Sequence, residues 1–152
     1  MMRQALTEDP VVEAARGWIG TPYLHQASLK GVGCDCLGLV RGVWRDVLGE
    51  EPQDVPPYTA DWAEAAGRET LADAAFCHLR PVALEDAGAG DVLLFRWRSH
   101  VPAKHCAILT GAFTARASTI IHAHEGCAVS EVALTGWWRR HASYAFSFPE
   151  TR

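Results

Sequence analysis

The spacing of apolar residues near the start of the chain predicts an amphipathic helix. Asp9 followed by Pro10 is a typical helix start, because an aspartate side chain caps the first backbone N–H groups and proline is tolerated at the first helical position. The apolar residues that follow at helical spacing are Val11, Val12, Ala15, Trp18 and Ile19. Gly20 and Pro22 are expected to end this helix.

A second helix is predicted to begin directly after Asp35. Its apolar face is expected to consist of Leu37, Val40, Val43, Trp44, Val47 and Leu48. Gly49 stands where a left-handed residue is expected at the helix end. Residues 21–35 show little periodicity and are predicted to form a loop. Cys36 is therefore predicted to lie in the first turn of a buried helix.

The second half of the chain changes from a helical to a strand pattern. Residues 50–58 are a proline-rich connection, and residues 59–79 are predicted to be helical with a break near Gly67. Strands are predicted within five apolar, β-branched runs, which are DVLLFRWR, HCAILTG, TIIHAHEG, SEVALTGWW and SYAFSF. Helices first and neighbouring strands later are typical of an α+β fold with an antiparallel sheet.

Composition limits the classes of function. The 152 residues predict one domain over positions 1–152. With 14 Lys and Arg against 18 Asp and Glu, the net charge of −4 gives no basic field for nucleic acid. No stretch approaches the roughly 20 apolar residues of a membrane-spanning helix, so membrane insertion is not expected. The polar start MMRQALTEDP does not resemble a signal peptide, which predicts synthesis in the cytoplasm and release by a route other than ordinary secretion.

The five cysteines raise the question of chemistry. An odd number in a chain of this length predicts free thiols rather than a disulfide framework. At a helix start, the pKa of a thiol falls below its usual value of about 8.5, and the free backbone N–H groups there can hold an oxyanion. Cys36 is thus a candidate nucleophile, and a small buried apolar residue is the alternative interpretation.

A nucleophilic cysteine needs a base, and histidines follow in the predicted strands. Alternation in HCAIL places His105, Ala107 and Leu109 on one face of a strand and Cys106 and Ile108 on the other. In TIIHAHEG, Ile120, His122 and His124 share a face. If these strands are sheet neighbours, His105 lies beside His122 or His124, with one ring as base and the other orienting it.

Four strings in the same order resemble motifs of the NlpC/P60 family of bacterial cell-wall cysteine peptidases. They are GTPYLHQASLKGVGCDCLGLV, GDVLLF, HCAIL and IIHAH, and the matching segments as a whole span roughly residues 10–125. The resemblance implies a papain-like α+β fold, with the nucleophile at a helix start packed against an antiparallel sheet. It implies Cys36 as nucleophile, His105 as base and His122 as the residue that orients the base, with no cofactor. Tyr23 and Asp35 match positions that bind the free amine end of a stem peptide, and Cys34 has a packing role.

The same resemblance implies a substrate and a carrier. The substrate is the stem peptide of peptidoglycan, cut between D-glutamate and a diamino acid. DCLGLVRGVW is most similar to a branch encoded with the tail genes of phages and gene transfer agents. This similarity predicts baseplate or tail proteins as partners and action in the periplasm or cell wall. Leu37 stands where the family has a serine, which puts the preference for a free amine in doubt.

Two alternatives to an active peptidase are open. A metal site is conceivable because thiol and imidazole groups are numerous, at Cys34, Cys36, Cys77, His78, His105, Cys106, His122, His124 and Cys127. The spacing of these residues argues against a metal site, because the ligand pair Cys34 and Cys36 has no matching second pair. Adjacent residues such as His105 and Cys106 also point to opposite faces of a strand. The second alternative is a structural tail component that has the fold without the activity. For it, the proline-rich 50–58 segment, GWWRR at 136–140 and exposed apolar residues of the predicted helix are candidate docking surfaces.

Overall fold

In the computed structural model, which describes residues 8–52 and 69–149, helices pack against a six-stranded sheet. The helices are α1 (Pro10–Arg16), α2 (Cys36–Leu48), α3 (Thr70–His78) and α4 (Gly136–His141). The strands are β1 (Ser28–Leu29), β2 (Gly33–Cys34), β3 (Arg80–Val82), β4 (Val92–Phe95), β5 (His105–Leu109), β6 (Thr119–His122), β7 (Ser130–Ala133) and β8 (Ala142–Ser147). A 3₁₀ turn covers Leu84–Asp86.

The six-stranded sheet is antiparallel throughout and has the order β3-β8-β4-β5-β6-β7. β5 is central, and its first residue, His105, is paired with Phe95 on β4. On its other side β5 pairs with β6, in a register that sets Ile108 opposite Ile121. The start of β5 and the end of β6 therefore meet at one end of the sheet. β1 and β2 form a separate small hairpin ahead of α2.

Both faces of β5 are buried, in two different apolar clusters. Cys106 and Ile108 belong to the cluster on the side of α1 and α2, whereas Ala107 and Leu109 belong to the cluster on the opposite side. The alternation predicted for HCAIL is therefore confirmed. The helix-facing cluster extends from Trp18 and Leu39 to Phe146.

The packing of α2 differs in detail from the predicted apolar face. Its buried residues are Gly38, Leu39, Gly42 and Val43, whereas most of the large apolar residues predicted for that face are partly buried around them. A Cβ atom at Gly38 would lie 1.9 Å from the carbonyl oxygen of Ala27, and one at Gly42 would lie 1.9 Å from the Trp18 ring. The helix thus approaches its neighbours most closely through glycines, which an apolar count cannot detect.

Two predicted element boundaries need correction. α1 ends at Arg16 rather than near Gly20, and the turn that follows buries Trp18 but leaves Ile19 45% exposed. The GWW part of the predicted strand SEVALTGWW is the helix α4. The Thr135 side chain caps this helix by accepting a hydrogen bond from the Trp138 N–H at 3.5 Å, so the chain turns away from the sheet there.

α3 lies within the segment predicted to be helical over residues 59–79. Positions 53–68, with the predicted break at Gly67 and most of the proline-rich connection, lie outside the described residues. β3 was not predicted and pairs with β8 at the end of the sheet. Within the described ranges, no helix has the length and apolar character needed to cross a membrane.

Candidate active site

Cys36 is the first residue of α2, and Asp35 holds the helix start in place. The Asp35 carboxylate accepts one hydrogen bond from the Gly38 N–H at 2.7 Å and another from the Gln26 N–H at 2.8 Å. This aspartate is buried, with 2% of its surface exposed, so the cap ties the loop and the helix together. Cys36 itself is half-buried, and its Sγ atom lies 3.9 Å from the Lys104 carbonyl oxygen, directly over the start of β5.

The surroundings of Cys36 favour the thiolate. A hydrogen bond with the Cys106 side chain, together with the hydrogen bond and positive charge of His105, holds the pKa of Cys36 well below its ordinary value of about 9. Burial and the negative charge of Asp35 act in the opposite direction without outweighing these contacts. The Cys106 pKa is raised, first by its hydrogen bond with Cys36 and then by burial, so Cys106 is the partner that keeps its proton.

Cys34 has the opposite electrostatic environment. It is fully buried at the end of β2, and burial, Asp35 and Cys36 raise its pKa to about 12. A thiol with this pKa carries its proton at neutral pH and is a poor nucleophile. The surroundings of Cys34 are therefore those of a packing residue.

The structure brings His105 and His122 together at the end of the sheet. His105 Nε2 lies 2.8 Å from His122 Nδ1, and both residues are buried. Burial, reinforced by the positive charges of His105 and His124, lowers the pKa of His122 to about 3. His122 is therefore neutral at physiological pH and its Nδ1 atom can accept the proton on His105 Nε2. Because Nε2 is engaged in this bond, Nδ1 of His105 is the ring nitrogen that remains for a second partner.

His124, which the residue pattern offered as an equal alternative to His122, lies beside the pair rather than in it. Its ring centroid is 5.4 Å from that of His105 and 5.6 Å from that of His122, and the residue is exposed. Burial and the charge of His105 lower the His124 pKa. The imidazole that is hydrogen-bonded to His105 is thus that of His122.

Tyr23 and Asp35 flank the thiol from the loop side. Backbone hydrogen bonds from Cys34 N–H to Pro22 and from Leu24 N–H to Cys34, both 3.0 Å, hold Tyr23 beside β2. Burial, Cys36 and Asp35 raise the pKa of Tyr23 to about 12, so its hydroxyl stays protonated. The Asp35 carboxylate already accepts hydrogen bonds from two backbone N–H groups. The amine-binding role of both residues stays a prediction.

Two neighbours of the site were not predicted to lie beside Cys36 and His105. Cys106 was assigned to one face of β5 and to the set of possible metal ligands, yet both it and His105 contact Cys36, because the thiol lies over the first residues of that strand. Trp138 lies on α4, 5.7 Å between ring centroids from His105 and 5.1 Å from His122. The only signal for it in the sequence was the cluster of aromatic and basic residues in GWWRR.

Over residues 8–52 and 69–149, no group of three or more His, Cys, Asp or Glu side chains is arranged to hold a metal ion.

Comparison with solved structures identifies the fold. The NlpC/P60 domain of the peptidoglycan hydrolase SagA aligns with 91% of this chain and 97% of its own, with 26% identity and a TM-score of 0.58. An NlpC/P60 family protein of Bacillus cereus ATCC 10987 aligns with 95% of this chain and 41% of its own, with 16% identity and a TM-score of 0.63. A lipoprotein-like protein of that family from Staphylococcus aureus Mu50 covers 97% of this chain and 44% of its own, with 18% identity and a TM-score of 0.59. The chain has the NlpC/P60 fold, and the predicted α+β class is confirmed.

A curated relative adds a sequence match. Gamma-DL-glutamyl hydrolase of Bacillus subtilis strain 168 is 31% identical over 108 residues, which are 71% of this chain and 22% of the relative. The chain thus spans about a fifth of the length of that relative. No protein-family model matches the chain.

Proposed function

We propose that this protein is a member of the NlpC/P60 family and a cysteine peptidase that hydrolyses the stem peptides of peptidoglycan. The observation that carries the proposal is that three groups lie next to one another. They are the Cys36 thiol at the start of α2, the His105 ring that contacts it, and the His122 nitrogen 2.8 Å from His105 Nε2. A thiol, a base and a group that orients the base are the parts that acyl transfer through cysteine requires.

In the proposed reaction, His105 takes the proton of Cys36 and the thiolate attacks an amide carbonyl. The backbone N–H of Cys36, at the positive end of α2, helps to hold the oxyanion. His105 then gives its proton to the leaving amine, and a thioester forms on Cys36. Water attacks the thioester, releases the acid and restores the thiol. His122 accepts a hydrogen bond from His105 and keeps the ring oriented through both steps.

The bond cut is proposed to join D-glutamate to a diamino acid. The match to a gamma-DL-glutamyl hydrolase supports a glutamyl bond. Tyr23 and Asp35 are proposed to contact the amine end of the peptide. Leu37 has no hydroxyl to offer at the position of the family's serine, so we propose that the enzyme is an endopeptidase without a strict need for a free amine.

We further propose that the enzyme is carried by a phage-like tail and acts in the periplasm or cell wall, with baseplate or tail proteins as partners. The support is the similarity of DCLGLVRGVW at the start of α2 to the tail-associated branch. A tail carrier would deliver a wall-cutting enzyme to its substrate.

Mass spectrometry of muropeptides tests the peptidase proposal. Purified protein incubated with peptidoglycan fragments is expected to convert stem peptides into two shorter products whose masses sum to that of the parent plus water. The Cys36→Ala protein, under the same conditions, is expected to give no new products. An unaltered digest, together with binding to a tail protein, would instead identify an inactive tail component.

A further inference from the structure

Two tryptophans pack against the ring of His105 at the candidate site. Trp97, which follows β4, lies with its ring centroid 5.4 Å from that of His105 and its plane inclined by 24°. Trp138, on α4, is at 5.7 Å and 32°. The Trp97 ring is stacked on the imidazole and the Trp138 ring is tilted to it, and both centroids lie within 6 Å of the imidazole centroid. An aromatic face attracts a cation within about 6 Å of its centroid.

The position of Trp138 is fixed by hydrogen bonds outside the site. The Arg139 guanidinium, next to it on α4, donates to the carbonyl oxygens of Phe113 at 3.1 Å, Leu134 at 2.5 Å and Ala115 at 2.7 Å. The Trp138 ring also packs edge to face on Phe95, 5.0 Å between centroids. The short helix is thus anchored to two separate loops, and its tryptophan is held over the histidine pair.

The charges around His105 explain why such a contact matters. The titratable groups that face it are Cys36 at the start of α2, His122 on β6 and His124 after β6. The ring is hydrogen-bonded to His122 and Cys36, whereas the carboxylates of Asp35 and Glu125 act on Cys36 and on His124. His122, the residue hydrogen-bonded to His105, is neutral and offers no negative charge. In a Cys or Ser triad with an aspartate, that charge stabilises the imidazolium.

We infer that Trp97 and Trp138 are positioning residues that stabilise the imidazolium form of His105 with their aromatic faces, and through it the Cys36 thiolate. In other triads a carboxylate both stabilises the imidazolium charge and orients the ring. Here the tryptophans stabilise the charge, and His122 orients the ring. The inference rests on the proposed function for its catalytic meaning. Its physical content, a larger thiolate fraction at Cys36, requires no substrate.

The test measures the rate at which iodoacetamide alkylates Cys36, by peptide mass spectrometry from pH 5 to 9. Trp138→Leu keeps an apolar side chain but removes the aromatic face, and Trp138→Phe keeps a weaker one. At pH 6, the Cys36 rate is expected to fall about three- to tenfold in Trp138→Leu and less in Trp138→Phe. Trp97→Leu is expected to act in the same direction. Should Trp138→Leu not fold, Trp97→Leu and Trp138→Phe carry the test.

Trp44→Leu is the matched control, because the ring of Trp44 packs on Phe148 at 6.0 Å and its N–H donates to the Glu50 carbonyl oxygen at 2.9 Å, away from His105. Its alkylation profile is expected to equal that of the wild type. If the tryptophans only bury His105, their removal exposes the ring to water, which favours its charged form and raises the Cys36 rate. A raised or unchanged rate in folded Trp138→Leu and Trp97→Leu overturns the inference. A muropeptide digest without products, beside a lowered alkylation rate, rejects the proposed function and leaves the inference standing.

Discussion

Cys36→Ala is expected to abolish hydrolysis of muropeptides, with kcat/KM lowered by about 10⁴-fold or more. The reason is that, in the proposed reaction, the thiolate forms the covalent bond to the substrate, and an alanine methyl group cannot. The fold should survive, because Cys36 is half-buried at a helix start whose cap is the Asp35 side chain. Product formation followed by mass spectrometry measures the activity, and circular dichroism with a thermal melt checks the fold.

Cys34→Ala is the matched comparison, since the two cysteines are separated only by Asp35. Its expected result is retention of most of the activity at a stability cost of about 1 kcal/mol, from the small cavity left in the core. Cys34 keeps its proton at neutral pH and has a packing role in this account. An active Cys36→Ala protein beside an inactive Cys34→Ala protein would reverse the assignment of the nucleophile.

His105→Ala is expected to lower kcat/KM by about 10³-fold, because the residue proposed as base and proton donor in both half-reactions is lost. His122→Ala should cost about tenfold, since it removes only the hydrogen bond that orients the base. His124→Ala is expected to have the smallest effect of the three, because its exposed ring is stacked beside the pair without sharing the 2.8 Å bond.

Initial rates on one purified muropeptide, measured at equal enzyme concentration, give this ranking. A His105→Ala protein as fast as the wild type would remove His105 from the mechanism. A His124→Ala protein slower than the His122→Ala protein would show that the orienting ring had been assigned to the wrong strand position.

The start of α2 could be predicted from local signals alone. Asp35 is a capping residue and Gly49 is a terminating one, and the structure has the helix between them, with Gly49 at a φ of 96°. The alternation of HCAIL likewise follows from strand geometry. These features depend on residues that are neighbours in the sequence, so the local sequence is sufficient to predict them.

The choice between His122 and His124 could not be made from the residue pattern, because alternation sends both to one face. It depends on the register of β6 against β5 and on where β6 ends, at His122. The resemblance to the NlpC/P60 family favoured His122, and the short nitrogen–nitrogen distance agrees with that choice. The catalytic roles themselves stay predictions.

The aromatic surroundings of His105 were beyond sequence reasoning for a different reason. GWWRR has strand-forming aromatics, but it forms α4 because Thr135 caps it and Arg139 binds carbonyl oxygens of Phe113 and Ala115, more than twenty residues away. The contact of Cys106 with Cys36 is equally non-local. Contacts of this kind are set by tertiary structure, which overrides local propensity.

The most direct test of the central claim, that Cys36 is ionised by its surroundings, is the pH dependence of alkylation at each of the five cysteines. Since the Cys36 pKa is lowered, its thiolate is present at pH 7 and is lost only as the pH falls through that lowered value. Iodoacetamide is expected to modify Cys36 fastest at pH 7, with a midpoint well below 9, whereas buried Cys34 reacts slowly. A Cys36 that reacts no faster at pH 7 than the exposed Cys77 and Cys127 would contradict the account.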